Sequence, residues 1–317
     1  MNYTFDYESV YQNITLKLKK RIFKKPNYVE ASESLQTLIK LMSEEECPEY
    51  GGIFYLSKAR CESTSKNLLD EASNLVLAGE NFFKAEKKLK NMHVTSIEDF
   101  LETGTMCYMY SINLYIDANC FHLALSSGLH LIKILKEFKN YNDAINVFNL
   151  ILPISSLDFP QNLMVLLDKG LCLIKIRNFK AALKIYIDVI EKMKKNLGQS
   201  IMFGQYRNII EEAEIFRVLL ILLSQSQDFK GSNESFSLND YSLENANVHC
   251  LDKCPILMQI NDQVFYHFIS LTSTVQNQIH RAAEQVSIDL QTHLTDDQND
   301  LVREIVNELI NPSGEAF

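Results

Sequence analysis

The chain has 317 residues, enough for one large or two ordinary domains. With 46% hydrophobic and 22% charged residues against only 10 Gly and 6 Pro, it reads as globular and mainly helical and not as a turn-rich β protein. The net charge of −9 excludes the basic footprint of a nucleic-acid binder. All of that negative charge belongs to the C-terminal part, because Ser232 to Phe317 holds thirteen acidic residues and three basic ones.

Apolar residues recur at helical spacing almost everywhere. Tyr11, Ile14, Leu18 and Ile22 give one face of a first helix, which Pro26 ends. Leu35, Leu38, Ile39 and Met42 mark a second, and Pro48 sits where a first-turn proline opens the third. The spacing predicts further helices near 67–90, 96–117, 120–137, 142–152, 161–176, 179–195 and 206–226. The greasiest run, Ile215 to Leu223, is about half a membrane span and contains Arg217, so no integral membrane contact is expected. Seven irregularly spaced cysteines read as thiols in a reducing, cytoplasmic compartment.

Two segments share one pattern. Asn140 to Phe148 and Asn178 to Tyr186 each run Asn, aromatic, two variable residues, Ala, aliphatic, any residue, aliphatic, aromatic. Tyr141, Ala144 and Phe148 therefore correspond to Phe179, Ala182 and Tyr186, and Gly170 stands twelve residues before Ala182. A small residue at the helix contact flanked by aromatics resembles the tetratricopeptide pattern. Its usual period is about 34 residues. The 38-residue spacing here places the excess in a longer loop bounded by Pro153 and Pro160. The expected fold is all-α, a TPR-like solenoid of stacked antiparallel hairpins over 1–227. A Ser- and Asn-rich loop or loosely helical linker follows at 228–261. Acidic helices at 262–317 are expected to pack on the same solenoid. The last helix is marked by a Thr295-x-x-Gln298 capping box, an apolar stripe at Leu301, Val302, Ile305, Val306 and Leu309, and a stop at Pro312 and Gly314.

Chemical motifs are weak. There is no phosphate-binding Gly loop, zinc helix or nucleophile elbow. His249, Cys250 and Cys254 supply three potential metal ligands where a structural zinc site uses four. The chain is expected to be no enzyme and to carry no cofactor. Two charged faces stand out instead. Lys17, Lys20, Arg21 and Lys24 share one helix face, with Lys25 beside it, and suit a solvated surface or a docking face for an acidic partner or an anionic membrane. Asp296, Asp297, Asp300, Glu304 and Glu308 line the last helix, where they either keep it soluble and cap it or face a basic partner, and Asp262 and Asp289 add acid nearby.

The stretch KLKKRIFKKPN (Lys17 to Asn27), ECPEY (Glu46 to Tyr50), ARC (Ala59 to Cys61) and the ending LTDDQNDLVREIVNELINPSG (Leu294 to Gly314) occur in the order of a known family. Together they resemble the huntingtin-associated proteins encoded within an intron of the coagulation factor VIII gene. The similarity is strongest at the two ends. That resemblance implies an all-helical, TPR-like scaffold in a one-to-one heterodimer with huntingtin, lodged between its HEAT-repeat lobes and bridge. It also implies a link to an early-endosomal Rab GTPase, to endosome motility, and to a cytoplasmic, endosome-associated and also nuclear location. Vertebrate members carry Gly/Pro-rich insertions where this chain has only Asn196 to Gln205. The alternative reading is a TPR-type peptide-binding adaptor similar to the soluble attachment proteins of vesicle fusion.

Overall fold

A computed structural model describes residues 7–18, 27–198, 204–225, 238, 241 and 256–311. Those residues form fourteen helices and no strand. The chain divides into two compact units, Met1–Ile154 and Ser155–Phe317. The first carries α1 (Tyr7–Leu18), α2 (Tyr28–Glu44), α3 (Pro48–Thr64), α4 (Leu68–Asn91), α5 (Asp99–Asp117), α6 (Phe121–Glu137) and α7 (Tyr141–Ser155), whose last residue crosses the boundary. The second carries α8 (Phe159–Lys175), α9 (Phe179–Leu197), α10 (Gln205–Gln225), α11 (Ile256–Ile260), α12 (Asp262–Gln276), α13 (His280–Leu290) and α14 (Asp296–Ile310). The fold class is all-α. Within each unit consecutive helices pack in pairs, the construction of an α-solenoid.

One three-residue turn between helices is written six times, and its left-handed closure recurs at His93 at the start of the longer connection after α4. At Glu46, Lys66, Asn119, Lys139, Arg177 and Gln278 the backbone enters the left-handed region, with φ between 54° and 61°. In each turn the next residue's N–H returns to a carbonyl five residues back, as in Asn140 N to Leu135 O and Asn178 N to Leu173 O, both 2.9 Å. This is the Schellman closure of a helix C-terminus. At the two copies of the repeated pattern the residue after it caps the next helix. Asn140 Oδ1 accepts from Asp143 N at 3.3 Å and Asn178 Oδ1 from Ala181 N at 3.2 Å. Reversal in three residues leaves each helix antiparallel to the one before.

The longer loop expected between Pro153 and Pro160 is absent. Helix α7 runs through Pro153 to Ser155, and Pro160 lies in the first turn of α8. Proline is tolerated in a helix's first turn and here sits near the other helix's end, so three residues suffice between them. The extra length over the tetratricopeptide period lies in the helices themselves, 15 residues in α7 and 17 in α8.

The remaining landmarks fall where periodicity put them. Ile14 is buried, Tyr11 Oη pairs with Ser57 Oγ at 2.8 Å, and α1 packs on α2. Ile22 and Pro26 lie outside the described residues. Pro48 opens α3. Thr295 caps α14 in a full capping box, Leu301, Val302, Ile305 and Val306 are buried, and Leu309 is half-buried. That helix ends at Ile310, and Pro312 and Gly314 lie outside the described residues. The run Ile215–Leu223 is the buried centre of unit two, where α10 packs against α8, α9, α11 and α14. No described helix is long and apolar enough to cross a membrane.

Candidate protein-docking surfaces

The repeated pattern builds helix contacts. Ala144, Phe148, Ala182 and Tyr186 are fully buried, Phe179 nearly so, and Tyr141 half-buried. In unit two the contact is made by Gly170 of α8 against Tyr186 of α9. A Cβ on Gly170 would lie 2.7 Å from Tyr186 Cζ, so only glycine admits the ring. Tyr186 in turn stacks on Phe216 of α10, with ring centroids 4.9 Å apart. Unit one uses the same device three times more, Gly52 against Phe82, Gly79 against Tyr108 and Gly104 against Phe83. Those small-residue contacts escaped the sequence reading because they lack the repeat's spacing.

The acidic face of α14 divides in two. Asp297 pairs with Lys175 at 2.6 Å, Asp300 lies 3.7 Å from the same ammonium and 2.9 Å from Arg303, and Glu304 pairs with Arg177. Lys175 ends α8 and Asp297 lies in the first turn of α14, so each charge also offsets its own helix dipole. These pairs fasten α14 to the end of α8 within unit two. Asp262, Asp289 and Asp296 are exposed and make no ion pair among the described residues. They are among the acids of unit two that face solvent. Of the basic face, Lys17 falls on α1, while Lys20, Arg21, Lys24 and Lys25 lie outside the described residues.

A buried ionic network lies beneath this surface. Arg217 Nε donates to Glu214 Oε2 at 2.8 Å and Nη2 to Oε1 at 2.6 Å, and Tyr241 Oη donates to Oε1 at 2.8 Å. Burial pushes the Glu214 carboxyl up. The Arg217 charge and the hydrogen bonds from Arg217 and Tyr241 outweigh it and hold the group below the usual range. Tyr241 thereby ties a residue of the expected 228–261 linker into the core, together with buried Leu238. The i,i+3 spacing of Glu214 and Arg217 was the signal available in the sequence. Neighbouring Glu212 is shifted the other way, upward, by burial and by the charges of Asp168 and Asp297.

The five described cysteines are free thiols, three of them buried. Among the described residues no group of His, Cys, Asp and Glu is arranged to hold a metal, and His249, Cys250 and Cys254 lie outside them.

Fold and surfaces together define an all-α protein whose two units each pair consecutive helices over a buried apolar core, with charged residues on their surfaces. Comparison with known proteins narrows the class. The chain is 22% identical to the 40-kDa huntingtin-associated protein of Mus musculus and 21% identical to that of Rattus norvegicus. Each match spans 98% of this chain and 94% of the relative, so the chain is a divergent relative along its whole length. No family model matches it.

Proposed function

We propose that the chain is a non-enzymatic scaffold subunit that forms a one-to-one complex with a huntingtin-like protein. The observation that carries this reading is the coverage: a relative named for huntingtin association aligns over 94% of its length with 98% of this chain. A shared motif or a shared hairpin would not produce that. The exposed acids Asp262, Asp289 and Asp296, and the basic run of the sequence at Lys17, Lys20, Arg21, Lys24 and Lys25, supply opposite charges for steering and register. The role proposed with this complex is in early-endosome trafficking and motility, from the cytoplasm, with an early-endosomal Rab GTPase as further partner.

A pull-down of the tagged chain at endogenous level, read by mass spectrometry, tests it. A huntingtin-like protein recovered in equimolar amount supports the reading. Recovery of vesicle-fusion proteins through short peptides, with no huntingtin-like partner, would replace it with the peptide-binding adaptor.

A further inference from the structure

A second charged surface lies in unit one, at the shared end of α4 and α6. In a chain of net charge −9, residues 84–90 and 133–139 hold seven lysines against two glutamates. One of those two, Glu86, is fully buried. Lys87, Lys90, Asn91, Glu137, Phe138 and Lys139 line a surface groove of about 410 Å³. Its floor is aromatic: Lys90 Nζ stands 4.3 Å above the centre of the Phe138 ring. Lys87 pairs with Glu137, the only carboxylate among the groove's lining residues. The groove is therefore cationic.

Beside it projects the loop that joins α4 to α5. Lys90 links the two, since its ammonium also lies 3.8 Å from Glu98 at the loop's far end. The loop is held in shape. His93 and Glu98 take left-handed backbone, with φ 54° and 64°, and Ser96 Oγ donates to the buried Glu86 carboxylate at 3.1 Å and accepts from Glu98 N at 3.0 Å. Beside the polar His93, Thr95 and Glu98, this fixed loop offers water three large apolar side chains: Met92 is 57% exposed, Val94 48% and Ile97 82%. A solvated lysine surface has no use for three large apolar side chains beside it, held out on a pinned loop.

We propose that this end of unit one is a peripheral membrane contact. Lys87, Lys90 and Lys139 receive a phosphate-bearing lipid headgroup, and Met92, Val94 and Ile97 enter the interfacial layer of the bilayer. Anionic headgroups are the complement of the lysines, and a hydrocarbon boundary is the complement of the loop; a bilayer rich in acidic lipid presents both at once. The proposal is independent of the huntingtin-like complex.

The chain contains no tryptophan, so Ile97→Trp places a single reporter on the exposed loop. Full-length Ile97→Trp protein is mixed with phosphatidylcholine vesicles, with and without about 20% phosphatidylserine. The expected result is co-sedimentation and a blue-shifted emission with the acidic vesicles alone. Neutralising Lys87, Lys90 and Lys139 together to Gln is expected to weaken partitioning about a hundredfold. Separately, Ile97→Asp in the tryptophan-free protein is expected to weaken it about tenfold. Sedimentation without an emission shift, or displacement by soluble glycerophosphoserine, would make the groove a site for a free anion and overturn the proposal. Absence of sedimentation overturns it as well. So does binding that survives the three lysine changes yet is lost when Lys17, Lys20, Arg21 and Lys24 are reversed to Glu.

Discussion

Replacing Arg217 with Met tests how unit two is held together. Glu214 is 3% exposed and Arg217 8% exposed, and the two make a bidentate pair that Tyr241 completes. Removing the cation leaves a carboxylate buried without its countercharge, which costs about 3–5 kcal/mol. Replacing both, Glu214→Leu with Arg217→Met, removes the charge as well as its partner and is expected to recover most of that loss. The pH dependence provides an internal check. In the native chain the Glu214 carboxyl is held below its unfolded value, so its contribution is complete at neutral pH and is lost only as pH falls through the folded value. In Arg217→Met the largest influence, burial, is opposed only by the Tyr241 hydrogen bond and the Lys194 charge, and the carboxyl is expected to rise above its unfolded value. The variant should therefore gain stability as pH falls from about 7 toward 5, over which the native chain gains nothing from this group. Urea unfolding followed by far-ultraviolet circular dichroism reads both effects. A single-variant loss under about 1 kcal/mol, or a double variant no better than the single one, would refute the account of the network.

Gly170→Ala should destabilise. Its Cβ would sit 2.7 Å from a Tyr186 ring that is fully buried and stacked on Phe216. Overpacking of about 1–3 kcal/mol then exceeds the roughly 1 kcal/mol gained in helix propensity, and a raised melting temperature would contradict it. Gly51→Ala is the control, because its Cβ would meet only the Asn81 side chain, 3.0 Å from its oxygen and 3.5 Å from its Cγ, so the propensity gain of up to about 1 kcal/mol is not offset by a buried ring and the melting temperature should not fall. Glu212→Gln should raise stability at neutral pH, since burial and the Asp168 and Asp297 charges hold this carboxyl above its usual value. The same change should reduce the stabilisation on acidification, as the native carboxyl takes up its proton through that raised value; an unaltered pH profile would count against the shift. Lys66→Gly should stabilise by up to about 1 kcal/mol, because a side chain at φ 59° bears a left-handed penalty that glycine avoids. A loss of melting temperature would show that Lys66 makes a compensating contact.

Helix existence and faces were legible because burial follows the 3.6-residue period: Leu35, Leu38, Ile39 and Met42 on α2, and Leu301, Val302, Ile305 and Val306 on α14, are all buried. The capping box at Thr295 was legible for the same local reason. What escaped lies in backbone conformation and in distant pairing. Five of the six hairpin turns fill their left-handed position with Glu, Lys, Arg or Gln and none with glycine, so the usual helix-stop signal is missing. Proline was read as a loop marker at Pro153, yet it sits in the last turn of α7. The acidic row on α14 was visible as charge. Its partners Lys175 and Arg177 are more than a hundred residues earlier, a separation no local pattern encodes. The cationic groove needs α4 and α6 side by side, and sequence alone did not join Lys90 to Phe138.

The central claim is the complex. Co-expression of this chain with the huntingtin of the same organism, followed by size-exclusion chromatography with light scattering, tests it most directly. The account predicts one peak at the summed mass of a one-to-one complex, stable in moderate salt and split by charge reversal at Asp262, Asp289 and Asp296. Two separate peaks, with this chain soluble and helical by itself, would contradict it and leave the relationship to the huntingtin-associated protein one of fold.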